Sequence, residues 1–135
     1  MTKPRILVPV HYPLSRPSIH TLECAAQLAD ERDAKEVVVL HVNLMHRGRS
    51  ARRKEIEKAI TQVLADYPVT LSLNESYLVE EAIRDEAQSV RADIIVLGKS
   101  QKAKWRRFLN HIVGNDIDIA SFLRAHTDAE IIVVE

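Results

Sequence analysis

The chain holds one cysteine and three glycines, and aromatic residues make up 4% of its 135 residues. A single thiol, Cys24, makes no internal disulfide, and a cysteine-based zinc site needs several ligands. Cys24 stands among Leu22, Ala25 and Ala26 and reads as a small buried hydrophobe. So little glycine predicts few flexible loops. Long hydrophobic runs are missing as well. Wholly apolar stretches go no further than the likes of Val37-Val38-Val39-Leu40, far short of a membrane span. Strand-like residues begin by Ile6, without the cationic stretch and apolar core of a secretory leader, so a cytoplasmic protein is expected. Net charge is zero, with 19 basic and 19 acidic side chains, which argues against a general nucleic-acid or membrane binder. No paired carboxylates, Gly-x-Ser-x-Gly elbow or Walker sequence is present, and nothing supports a catalytic triad. His11, His41, His46 and His111 match no metal-ligand spacing and read as ordinary loop and strand-end histidines.

What is present is a regular alternation. The length fits one domain over residues 1–135, with 46% apolar residues to build its core. Four short runs are continuously apolar and rich in β-branched residues: Ile6 to Val10, Val37 to Val42 (broken only by His41), Ile94 to Leu97, and Ile131 to Val134. Such runs suit strands buried on both faces of a parallel sheet. Val69 to Leu73 alternates instead and reads as an edge strand. Between the runs lie helical stripes. Ile56, Ala59, Ile60, Val63, Leu64 and Tyr67 share one face, and Pro68 stops that helix. Val79, Ala82, Ile83, Ala87 and Val90 mark another. Ile19, Leu22, Ala26 and Ala29 mark a weaker one after Pro17. Asn115 caps a last helix that opens with Asp116 and Asp118 and carries Ile119, Phe122 and Leu123. A short extra helix is expected between Gly98 and Asn115, through Trp105, Phe108, Leu109, Ile112 and Val113. The order β-α-β-α-β-α-β-α-β predicts right-handed crossovers and a parallel α/β sheet with helices on both faces.

In such sheets ligands bind beyond the carboxyl ends of the strands, where strand order reverses. Those ends are Val10-His11, Val42-Asn43 and Gly98-Lys99. Charge is uneven there. Arg47, Arg49, Arg52, Arg53 and Lys54 follow the second strand; Lys99, Lys102, Lys104, Arg106 and Arg107 follow the fourth. These ten leave nine basic groups against 19 acidic ones in the rest of the chain. Both runs fall at one sheet edge and either attract an anion or form solvated loops. Gly98 and Gly114 are placed where a phosphate can approach backbone, and they equally serve as turn residues.

The sequence resembles the universal stress protein family over nearly its whole length. Arg5-Ile6-Leu7-Val8-Pro9-Val10 is similar to the family's opening strand, and Leu40-His41-Val42 to the end of its second. Ala92-Asp93-Ile94-Ile95-Val96-Leu97-Gly98 is similar to its fourth strand and following glycine, and Ile131 to Val134 to its closing strand. The resemblance implies five parallel strands in the order 3-2-1-4-5, a Rossmann-like fold akin to the adenine nucleotide alpha hydrolases. It also implies dimerisation through the last strand, here Ile131, Ile132, Val133 and Val134.

Many members of that family bind ATP through glycine, two residues, glycine, nine residues, then glycine with Ser or Thr, and place an aspartate after the first strand. Here the aspartate position is His11, and the first glycine is Gly98. The second falls on Gln101, and the third on His111, or on Gly114 before Asn115 if three residues are inserted. Gln101 adds bulk where phosphate would lie on backbone, and His11 removes a carboxylate acceptor. Lys99 and Lys102 offer charge in place of a backbone cradle. Two readings stay open. One is a dimeric regulatory or interaction module without the standard ATP motif. The other is a protein binding a nucleotide or other anion at a modified site of Val10, His11, His41, Val42, Gly98, Lys99, Gln101, Lys102, Gly114 and Asn115. A third, a nucleotide hydrolase of the wider superfamily, lacks the His-x-Gly-His and Ser-Gly-Gly-x-Asp signatures. A partner protein regulated by the module is the remaining expectation; metal and membrane insertion are not expected.

Overall fold

A computed structural model of the chain describes residues 3–10, 16–44, 53–65, 67–76, 78–98 and 119–134. The elements follow in the order β1 (Arg5–Val10), α1 (Arg16–Glu31), β2 (Glu36–Leu44), α2 (Arg53–Leu64), β3 (Thr70–Ser76), α3 (Val79–Val90), β4 (Ile94–Gly98), α4 (Ile119–His126) and β5 (Glu130–Val134). The strands form one sheet in the order β3-β2-β1-β4-β5, and every pairing is parallel. The five runs expected as strands are all strands, and the alternating Val69–Leu73 run lies at a sheet edge, as expected. The extra helix expected around Trp105 and the Asn115–Asp118 cap lie outside the described residues.

The period of two in the strands divides the core into two layers. Leu7, Val38, Leu40, Val42, Ile95 and Leu97 face α3 and α4 and pack on Val79, Ala82, Ile83, Ile119 and Leu123. Ile6, Val8, Val10, Val37, Val39, Ile94 and Val96 face α1 and α2 and pack on Leu22, Ala25, Ile56 and Ile60. The largest of these side chains are sealed from water, which stabilises by about 1.5–3 kcal/mol each before entropy is counted. Register is pinned at the amino ends by Asp93. Its Oδ2 accepts the Arg5 N–H at 2.9 Å, its own N–H donates to the Arg5 carbonyl, and its carbonyl accepts the Glu130 N–H at 2.9 Å. One residue thus aligns β1, β4 and β5.

Three expectations about helices need correction. In α1 the buried face is Ser18, Thr21, Leu22, Ala25 and Ala29, so Ile19 and Ala26 flank it. Two overlapping stripes are available at helical spacing, and the one that includes Ser18, Thr21 and Ala25 faces the sheet. Cys24 is consequently only half-buried. The α2 stripe is as read, with Ile56, Ile60 and Leu64 buried, but the helix ends before Pro68 acts. Ala65 takes the left-handed conformation (φ 53°) after its N–H closes on the Thr61 carbonyl. Asp33 and Arg91 do the same after α1 and α3. With glycine so scarce, non-glycine residues take the left-handed positions that glycine usually fills.

Candidate functional site

The strand order reverses between β1 and β4, because β2 lies on one side of β1 and β4 on the other. The carboxyl ends of β1 and β4 therefore border the crevice where doubly wound sheets hold ligands. Val10 ends β1, fully buried, opposite His41 of β2. His41 is also buried, and its side chain shares the α1–α2 face with Val37 and Val39. Val42, the next residue, turns to the α3–α4 face and pairs with Asn74 of β3. Gly98 ends β4 beside Val134. The structure thus brings Val10, His41 and Val42 together at one edge, with Gly98 at the end of the strand on the other side of β1. His11, Lys99, Gln101, Lys102, Gly114 and Asn115 lie outside the described residues. Ile131, Ile132, Val133 and Val134 are half-buried and form β5, which pairs with β4 at the rim of the sheet.

Of the first basic run, Arg53 and Lys54 are described, and both begin α2. Arg53 is held in the fold. Its Nε donates to Glu57 Oε1 at 3.0 Å and its Nη2 to the Leu71 carbonyl at 2.9 Å. It ties the start of α2 to β3; Arg47, Arg49 and Arg52 lie outside the described residues. Among the described residues, no three His, Cys, Asp or Glu side chains group to hold a metal ion. None of the described helices is long and apolar enough to cross a membrane. An open cleft of about 530 Å³, flanked by Arg91, Arg124, His126 and Asp128, lies at the amino edge, away from the strand ends just described.

One polar group at the carboxyl edge escaped the sequence reading. Glu80, in the first turn of α3, is 4% exposed. Burial raises its carboxyl above the ordinary value; a hydrogen bond from its own backbone N–H opposes this, and the neighbouring Glu81 charge adds a smaller upward push. A signal existed: Glu80 precedes Ile83 by three residues and Ala87 by seven, the spacing of the buried stripe. The chemical type of the residue hid its position.

Solved structures of similar architecture were found, although no family model and no curated protein matches the sequence. A universal stress protein in complex with cAMP superposes with a TM-score of 0.64 at 15% identity, covering 98% of each chain. The universal stress protein from Archaeoglobus fulgidus in complex with dAMP gives 0.63 at 19% identity, with both chains covered completely. A member of the family from Burkholderia pseudomallei gives 0.55 at 20% identity, over 96% of this chain and 94% of that one. The chain therefore has the universal stress protein fold: a five-stranded, all-parallel, Rossmann-like sheet flanked by helices. The likeness extends over the whole chain.

Proposed function

We propose that this protein is a universal stress protein-like regulatory or interaction module: one domain over residues 1–135, cytoplasmic, non-catalytic and homodimeric. The observation that carries this reading is β5, an apolar strand at the rim of a fully parallel sheet. One side of β5 pairs with β4, and the other side presents backbone N–H and C=O groups in a row that a second copy can extend. His11 and Gln101, at the positions of the family's aspartate and second glycine, leave the standard ATP cradle incomplete. Static light scattering at micromolar concentration tests the reading and should return about twice the 15.3 kDa chain mass. A persistent monomer would remove the dimeric module.

A second reading is favoured by the cAMP and dAMP held by two proteins of the same fold. In it, the carboxyl edge around Val10, Val42 and Gly98 takes a nucleotide or another anion, with Lys99 and Lys102 supplying charge. Calorimetric titration with ATP, cAMP and dAMP separates the two readings. Weak or absent ATP binding fits the module. Micromolar ATP binding that Lys99→Ala leaves unchanged would place the chain among the ATP binders through Gly98 and Gly114-Asn115.

A further inference from the structure

The first turn of α3 carries a carboxyl that the fold isolates. Glu80 Oε2 is buried and has no hydrogen-bond partner among the described residues. The helix start compensates in part, through the hydrogen bond from the Glu80 backbone N–H, but burial outweighs it. The buried side chains on this face are apolar, and β3 adds the polar but uncharged Ser72 and Asn74. Leu7 of β1, Val38, Leu40 and Val42 of β2, and Ile95 and Leu97 of β4 line the face on which α3 packs. From α4 come Ile119, Ala120 and Leu123, with Phe122 beside them. The described side chains of β3, Thr70 to Asn74, include no ionisable group. On α3 itself, Glu81 is the charge that acts on Glu80, and it is of the same sign. Arg84, one turn on, is engaged by Asp85 at 3.1 Å and lies over the Phe122 ring.

We propose that Glu80 is a proton-operated latch for the carboxyl end of the α3–β2 seam. Protonated, the carboxyl stays in the seam and the first turn of α3 lies against Val42. Ionised, it is buried with one oxygen unbonded and no described cation paired with it, and that state favours release of the turn toward water. The direction follows from linkage. Burial raises the closed-state pKa above the ordinary 4.5, so the closed state binds more protons between those two values. Closure is therefore strongest below pH 4.5 and weakens as pH rises through the raised value. One proton sets an upper limit of about tenfold per pH unit on the change in the opening equilibrium. Because α3 borders the edge that carries Val42, the latch couples pH to the shape of that edge, whatever occupies it.

Amide hydrogen exchange on the whole chain, resolved by NMR and expressed as protection factors, tests this. Protection at Ala82, Ile83 and Arg84, whose N–H groups close the first turn, should fall with rising pH above 4.5 and then level off. In Glu80→Gln, which keeps shape and hydrogen-bonding capacity without a charge, that pH dependence should vanish. A parallel measurement needs no variant: the Glu80 side-chain carboxyl 13C shift should titrate above 4.5. Identical pH profiles in wild type and Glu80→Gln would overturn the proposal. So would a Glu80 carboxyl that titrates at its ordinary value.

Discussion

The left-handed residues that end the helices show how a glycine-poor chain turns. Ala65 is the simplest, an exposed residue at φ 53°. An alanine in that region costs roughly 1–2 kcal/mol, and glycine removes the cost while adding about 0.5–1 kcal/mol of unfolded-state entropy. Ala65→Gly should therefore raise stability by up to about 1 kcal/mol, read as a higher urea midpoint with an unchanged slope. Arg91 illustrates why such a position is hard to see in sequence. Its N–H donates to the Ala87 and Gln88 carbonyls and the Ala92 N–H reaches Ala87 at 2.9 Å, a helix terminator built entirely from backbone. Glycine would have advertised it; arginine does not. Glu80 was hidden in a similar way, because an acidic pair in a first helical turn reads as a complement to the helix dipole. Its burial comes from angular position alone.

At the scale of elements, the strands were legible and the helix faces less so. Continuous β-branched runs have few fates other than a strand in a parallel sheet, which is why four strands stand where that pattern placed them, while alternation marked β3; β5, at the rim, is only half-buried. The α1 face differs from the stripe because small Ser18, Thr21 and Ala25, which a hydrophobic pattern passes over, are the residues that are buried. The tie made by Arg53 could not be seen in the sequence, because its partner carbonyl, on Leu71, lies 18 residues away. Arg53→Ala should cost about 1 kcal/mol, since it leaves the Leu71 carbonyl without that donor but also removes a half-exposed pair of small worth. Thermal unfolding measures this directly. At β5, Val133→Lys places a charge in a half-buried strand that also borders the α3–α4 layer. Weaker association by light scattering is expected. Circular dichroism at the same concentration must show native structure, or the loss of the dimer reports unfolding only.

For the whole molecule, charge distribution is the property that net charge conceals. In the ligand reading the second run, Lys99 to Arg107, supplies positive potential beside the end of β4. An anion bound by such side chains should lose affinity on going from low to moderate salt, and Lys99→Ala should weaken it further. Titration of ATP with magnesium at two ionic strengths reads both effects. An affinity that ignores salt and Lys99 alike would point to backbone amides in place of side-chain charge. The sheet order has a different consequence, in time. β1 is the first strand to be synthesised, yet it ends in the middle of the sheet, and its partner across the switch point arrives 88 residues later, as the Arg5–Asp93 contact records. At about 5–20 residues per second, a nascent chain waits on the order of 5–20 s with one apolar edge of β1 uncovered. Ribosome-bound fragments ending before Ile94 should therefore be the aggregation-prone form of this protein, and ones that include β4 with room to clear the exit tunnel should be markedly less so.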